Sequence, residues 1–147
     1  MNNEQLQRLL EQLDTAKNWE YPTGFDYLPK LRKLQLTVAV LQMETGLQLP
    51  VETGSAIQDA PFHSQVLLPG PDENSVNQVL RFSNFGELVA LADEELIAPL
   101  LLATIVRLLA NHGYVYVPEV VYNLEYTGKQ VGIDPVLNWW QRFFEWM

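Results

Sequence analysis

Apolar residues near the start of the chain repeat at i, i+3, i+4 and i+7, as on one stripe of a helix: Leu6, Leu9, Leu10 and Leu13. Asn2 or Asn3 can cap such a helix, and Glu4 suits the positive end of its dipole. The pattern therefore predicts an N-terminal helix over about residues 4–17.

The pattern of residues 30–45 fits two structures. Alternating positions are apolar, as in a strand, but another set follows helical spacing: Leu31, Leu34, Val38 and Leu41. The β-branched Thr37, Val38 and Val40 favour a strand. Pro29 and Gly46 supply a helix start and a helix stop in the right places. Length and caps favour a helix, and a strand remains the alternative.

The middle of the chain turns to strand patterns. Four segments are predicted as strands: 47–51, 62–68, 79–82 and 85–91. A run of Pro, Gly, Asp and Asn at 69–74 is typical of a turn, and Ser83-Asn84 is placed to connect a hairpin. Residues 114–117 alternate as one further short strand.

The most apolar segment is predicted to form a central helix over about residues 94–112. Asp93 can cap it, acidic residues follow at its positive end, and Gly113 can end it in the left-handed conformation. Pro99 either kinks this helix or marks its true first turn. His112 suits the negative end of the helix, where a capping role is expected.

The last nine residues hold five aromatic side chains, after Asp134-Pro135, a strong helix start. We predict an aromatic C-terminal helix over about residues 135–146. One stripe is expected to dock against the domain: Val136, Trp139, Trp140, Phe143 and Met147. Asn138, Gln141, Arg142 and Glu145 form the expected polar face. The residues expected to meet a partner are Trp140, Phe144, Trp146 and Arg142, with Phe144 and Trp146 most exposed at the margins of the stripe.

The order of these elements predicts an α+β fold, a single domain over residues 1–147. We expect a mostly antiparallel sheet of about four to six strands with helices at the start, centre and end of the chain. The pattern lacks the regular strand–helix alternation of a doubly wound parallel fold.

The charge and composition of the chain limit the classes of molecule that it is expected to bind. The net charge is −9, and residues 34–147 carry four bases against thirteen acids. Such a surface repels phosphate backbones and anionic lipid, so we expect no direct binding of nucleic acid. An acidic surface ordinarily keeps a small domain soluble, and binding to a basic protein partner is the alternative explanation for the charge.

The most apolar window, 96–110, is too short to span a bilayer. Without a signal peptide or any cysteine, the chain is expected to be cytoplasmic.

The histidines, acidic residues and serines of the chain do not form a recognisable catalytic motif. His63 follows Asp59 by four positions and precedes Ser64, but adjacent strand residues point to opposite faces, which excludes a Ser–His–Asp arrangement. Two histidines without cysteine match no zinc spacing. No nucleotide-binding motif occurs, so we predict no metal, no cofactor and no catalytic residue.

Two functional hypotheses follow. The first is a non-enzymatic protein–protein interaction module, such as an adaptor, an inhibitor or immunity-type protein, or an assembly factor, acting alone or through self-association. The alternative is a small enzyme or ligand-binding protein with a pocket formed by Asp59, His63, Arg81 and Arg107. The two arginines enter because each lies between apolar neighbours, where an unpaired charge is costly.

Overall fold

The computed structural model describes residues 2–14, 22, 24–53, 64–69, 78–129 and 137–145. Within these ranges the helices are α1 (Asn3–Leu13), α2 (Tyr27–Thr45), α3 (Pro99–Asn111), α4 (Glu119–Tyr122) and α5 (Trp139–Phe143). The strands are β1 (Val51–Thr53), β2 (Ser64–Leu68), β3 (Gln78–Phe82), β4 (Leu88–Leu91) and β5 (Val115–Tyr116). The predicted α+β class is confirmed.

The five strands form one mixed sheet in the order β1-β2-β3-β4-β5. The first three pairs are antiparallel, as predicted, and β5 runs parallel to β4. The register places Val66, Leu80 and Leu91 in one row across the sheet. Gln65, Arg81 and Ala90 form the adjacent row, which points to the opposite face.

Helices α2 and α3 cover one face of the sheet and enclose the first core. Its buried apolar residues come from both helices and from alternate strand positions, including Leu34, Val38, Leu41, Val66, Leu80, Phe82, Leu91, Ile105 and Leu109. Alternate burial along β2 and β3 is the pattern of strands that present one face to a core.

Helices α1, α4 and α5 cover the other face around β4 and β5 and enclose the second core. This core contains Leu6, Leu10, Phe85, Leu88, Ala90, Val117, Val121, Trp139, Phe143 and Phe144. All four residues of β4 are buried because helices pack on both of its faces.

Helix α1 starts as the sequence predicts but ends earlier. Asn2 and Gln5 form a capping box, in which each side chain accepts a hydrogen bond from the other residue's backbone N–H. The backbone of Asp14 is extended, so the helix ends at Leu13. Residues 15–17 of the predicted helix lie outside the described residues.

Residues 30–45 are helical, which confirms the interpretation that caps and length favoured. The Asp26 side chain accepts a hydrogen bond from the Leu28 N–H at 3.2 Å, and Gly46 closes the helix at φ 70°. Leu34, Val38 and Leu41 are buried at helical spacing, so packing decides against the β-branched preference.

The prediction of one helix over 94–112 is wrong in its first turn. Asp93 caps a 3₁₀ turn at Glu94–Leu96, and α3 begins at Pro99. Ala98 is extended, at ψ 132°, because the ring of the following proline disfavours the helical conformation there. Pro99 therefore marks the true first turn, and His112 is the C-cap residue at the other end.

Three other bounds are corrected. β4 starts at Leu88 rather than at residue 85, since residues 83–87 form the connection to β3. Residues 47–50 are not a strand, although Leu49 is buried in the first core. Helix α5 starts after Asn138, which forms a capping box with Gln141. Asp134 and Pro135 lie outside the described residues. Helix α4 was not predicted.

Candidate functional site

The aromatic side chains of α5 fill the second core. Trp139 and Phe143 are buried and stack on each other at a centroid distance of 5.7 Å. Phe85 contacts Phe143 from the β3–β4 connection, and Tyr126 meets Trp139 edge-on at 4.9 Å. Trp139 and Phe143 therefore dock as the sequence predicts, whereas Val136 and Met147 of the same predicted stripe lie outside the described residues.

The expectation that Phe144 lies exposed for a partner is wrong. Its side chain is fully buried and its ring stacks on Trp140 at 5.4 Å. Its carbonyl accepts a hydrogen bond of 2.9 Å from Arg81 Nη1 on β3. Trp140 is half-buried, between Tyr122 and Phe144. Trp146 lies outside the described residues.

Arg142 is buried as well, which corrects its assignment to the polar face. Its Nε lies 2.6 Å from Asp14 Oδ1, and both side chains have 0% exposure. The guanidinium lies over the rings of Phe85 and Phe143, at 4.5 and 4.9 Å from their centroids. The charge is therefore paired with Asp14 instead of facing solvent.

Asp14 joins the N-terminal helix to the last third of the chain. Its carboxylate also accepts hydrogen bonds from the Tyr126 hydroxyl and, at 2.5 Å, from the Lys129 backbone N–H. The Lys129 ammonium reaches the Asp14 carbonyl at 3.3 Å. This set of contacts fastens α1 and α5 together, so these residues build the fold rather than a free surface.

The proposed pocket does not form around its two arginines. Arg81 lies on the sheet face that α5 covers, 5.6 Å from the centroid of Trp140. Burial lowers the pKa of its guanidinium, and the charge of Glu145 partly opposes that shift. Arg107 is exposed on α3, which packs on the opposite face. Asp59 and His63 lie outside the described residues.

Three further observations bear on chemistry. Within the described ranges, no three His, Cys, Asp or Glu side chains are grouped to hold a metal ion. No helix in those same ranges has the length and apolar character needed to cross a bilayer. A shallow cavity of about 280 Å³ lies against α1 and is lined by Glu4, Gln7, Arg8 and Glu11, none of which was a predicted site residue.

The exposed apolar side chains are not evenly spread. One group surrounds the 3₁₀ turn and α4: Leu96, Leu100, Val120 and Leu124. Leu100 is 85% exposed and Val120 is 62% exposed. A second group lies on α2: Leu28, Leu36 and Met43. Single exposed hydrophobic residues are ordinary, whereas groups of them mark binding surfaces.

Four carboxylates stand beside the first group: Asp93, Glu94, Glu95 and Glu119. The Glu119 backbone N–H donates a hydrogen bond to Glu94 Oε1, which joins the 3₁₀ turn to the start of α4. Desolvation, and then the charges of Asp93, Glu94 and Glu95, raise the pKa of Glu119. We call these carboxylates and the four apolar residues the acidic–apolar patch.

Two tyrosines support the patch from beneath. The Tyr122 hydroxyl donates to the carbonyls of Leu91 and Ala92, at 2.9 and 3.1 Å, and so ties α4 to the end of β4. Burial, followed by the charge of Glu94, raises the pKa of Tyr116. Tyr122 thus holds α4, which begins at Glu119, against the end of β4.

Sequence reasoning missed this patch because its parts lie in two segments about 25 positions apart. The local pattern places Asp93, Glu94 and Glu95 at the start of a helix, and it predicts no helix or strand around Glu119. One signal was present in the sequence. Between residues 82 and 128 there are six acids, and Arg107 is the only Lys or Arg.

Comparison with family models, curated proteins and solved structures gives no match for this chain.

Proposed function

We propose that this chain is a non-enzymatic protein-binding module and that the acidic–apolar patch is its docking surface. The observation that carries the proposal is the exposure of Leu100 and Val120 beside a group of carboxylates. Apolar anchors with a polar rim are the usual anatomy of a protein interface. The role is that of an adaptor, an inhibitor or immunity-type protein, or an assembly factor.

The negative charge of the acidic–apolar patch indicates which side chains a partner needs. Desolvation raises the pKa of Glu119, and the like charges of Asp93, Glu94 and Glu95 add to that shift. A segment with Lys or Arg beside leucine-like side chains would neutralise the carboxylates and cover the apolar residues at once. Complementary charge also speeds encounter and selects against acidic competitors. We therefore propose a basic, amphipathic segment of a partner protein.

The surface offered to this partner differs from the one that the sequence suggested. The aromatic helix supplies core, and Phe144 and Arg142 are buried. Leu96 and Val120 instead lie on the 3₁₀ turn and on α4. The Glu94 carboxylate joins these two short elements by accepting from the Glu119 N–H, and the Tyr122 hydroxyl ties α4 to β4. An interface built on ordered backbone loses less entropy on binding.

Two defined peptides test the proposal. Both place Leu at every third or fourth position of a helix, and the remaining positions are Lys in one peptide and Glu in the other. We expect the Lys peptide to bind about tenfold or more tightly, because only it complements the carboxylates. The methyl NMR signals of Leu96, Leu100, Val120 and Leu124 should shift on titration.

Matched variants locate the binding. Glu95→Lys and Val120→Ser should each weaken binding of the Lys peptide, since both change exposed parts of the patch. Leu28→Ser removes an equally exposed side chain on α2 and should leave binding unchanged. Equal affinity for the two peptides, or equal effects of Val120→Ser and Leu28→Ser, would show that the patch is not the docking surface.

A further inference from the structure

The outward side of α2 carries its own stripe of residues. Arg32, Leu36, Ala39 and Met43 follow one another at steps of four, three and four, and all are exposed. Leu36 is 70% exposed and Met43 is 80% exposed. Alternating steps of three and four are the spacing of the contact positions in a coiled coil.

This stripe is separate from the face that builds the fold. The inward residues of α2 are Leu34, Thr37, Val38 and Leu41, and all four are buried against the sheet and α3. A helix that serves only its own core has a polar outer face. Helix α2 has apolar residues on both sides, and its outer stripe is exposed to solvent in the single chain.

We propose that the outer stripe of α2 binds the same stripe of a second copy, in an antiparallel pair about a twofold axis. This dimer goes beyond the proposed function, because it uses α2 and leaves the acidic–apolar patch free for a partner. A twofold interface needs a surface that is complementary to itself, and two features of the stripe meet that requirement.

The first feature is the order of side chains along the stripe. In an antiparallel pair aligned at its centre, Leu36 faces Ala39 of the second copy and Ala39 faces Leu36. Large residues therefore meet small ones, and the helices can approach closely. Met43 faces Arg32 of the second copy, whose alkyl stem can cover the thioether.

The second feature is charge. The antiparallel pair brings the Arg32 guanidinium of each copy towards Glu44 of the other, which gives two opposite-charge contacts. Both side chains are exposed in the single chain. A parallel pair would instead set Arg32 against Arg32. Opposite charges across a coiled-coil seam fix orientation and like charges oppose it.

The length of the stripe limits the strength of the dimer. The seam spans residues 32–43, about three turns of helix. This contact is smaller than the roughly 1,600 Å² of a standard interface. We therefore expect an equilibrium between monomer and dimer that follows protein concentration.

Sedimentation velocity over a series of concentrations tests the proposal with the full chain. The wild-type mass should rise from 16.8 kDa towards twice that value as concentration increases. Leu36→Glu and Met43→Lys should raise the dissociation constant by about tenfold or more, because the first puts a charge against Ala39 and the second sets a like charge against Arg32 of the other copy. Leu100→Glu, an equally exposed change on α3, should leave it unchanged. Circular dichroism confirms that each variant is folded.

Charge reversal tests the orientation and does not disturb the apolar seam. Arg32→Glu alone and Glu44→Arg alone should each weaken the dimer, and the two together should restore it. A wild-type chain that stays monomeric at every concentration would overturn the proposal. So would a dimer that resists both Leu36→Glu and Met43→Lys, or one that the double reversal does not restore.

Discussion

Arg142 carries its charge into a site where its side chain has no contact with solvent. Removing a charge from water is costly, and this cost is offset only by close pairing. Asp14 supplies the opposite charge at 2.6 Å, and two aromatic rings cover the guanidinium. Asp14 is in turn held by Tyr126 and Lys129. The pair is thus tolerated because both members are satisfied.

This arrangement makes the loss of one partner worse than the loss of both. Arg142→Met should lower the free energy of unfolding by about 3–5 kcal/mol, because it leaves the Asp14 carboxylate buried without its cation. Urea denaturation followed by tryptophan fluorescence gives the value.

Two comparisons complete the measurement. The double variant Asp14→Leu/Arg142→Met should be more stable than Arg142→Met, since no uncompensated charge remains. Arg8→Met breaks the exposed Arg8–Glu4 pair and should change stability by less than about 1 kcal/mol. If Arg142→Met costs no more than Arg8→Met, the buried pair does not stabilise the fold.

At the scale of elements, Lys30 joins α2 to the β3–β4 connection. Its ammonium donates to the carbonyls of Ser83 and Gly86, at 2.9 and 2.6 Å. Burial lowers the pKa of Lys30 to about 8, an effect that Glu87 opposes and Lys33 reinforces. The lysine therefore satisfies two carbonyls while its own charge is desolvated.

The lowered pKa predicts a dependence of stability on pH. Between about pH 8 and 10.5 the unfolded chain binds more protons at Lys30 than the folded protein does. Stability from this group therefore rises across that window and is lost as the pH falls through 8. Urea denaturation from pH 7 to 10 should show wild type gaining stability relative to Lys30→Met.

The upper limit of pH 10 avoids a second titration. Burial raises the pKa of Tyr114 to about 12, so above pH 10 the unfolded chain loses this proton first and stability falls. Parallel curves for wild type and Lys30→Met up to pH 10 would mean that Lys30 keeps an ordinary pKa in the folded protein.

The sequence predicts the end of a helix well where a single residue, such as a glycine or a proline, restricts the backbone conformation at that position. Gly46 ends α2 in the left-handed conformation, and Pro99 begins α3. Asn138 was overlooked as the cap of α5 because Asp134-Pro135 offered a stronger local signal. Helix α4 has only four residues, too few for a periodic pattern to appear.

Contacts between distant segments could not be predicted in the same way. From the sequence alone, Arg142 is expected on the solvent-exposed face of the C-terminal helix, because no residue close to it in the sequence indicates a buried partner. That partner, Asp14, lies 128 positions away, and nothing local to either residue marks the pair. The acidic–apolar patch was missed for the same reason, since the fold brings Glu94 and Glu119 together.

The whole molecule is organised around β4, where helices pack on both faces of the sheet. We expect the β4 amides to exchange hydrogen slowest, at rates set by global unfolding, because opening β4 disrupts both cores. β1 lies at the sheet edge and Val51 is partly exposed, so its amides should exchange faster.

Native-state hydrogen exchange measured by NMR gives these free energies residue by residue. Amides of β2 and β3 should fall between the two extremes. Equal protection of β1 and β4 would mean that the sheet opens only as one unit.

Because Asp14 and Arg142 lie far apart in the sequence, the contacts between α1 and α5 can form only late in translation. Helix α1 is synthesised well before α5, yet the residues that bury Leu6 and Leu10 include Trp139 and Phe143 of α5. The described buried residues of the first core lie between Leu34 and Tyr114, and Tyr116 packs against them, so this core can close before α5 is translated. We expect the nascent chain to hold a closed first core beside α1, whose apolar face stays exposed to chaperones until α5 has been made.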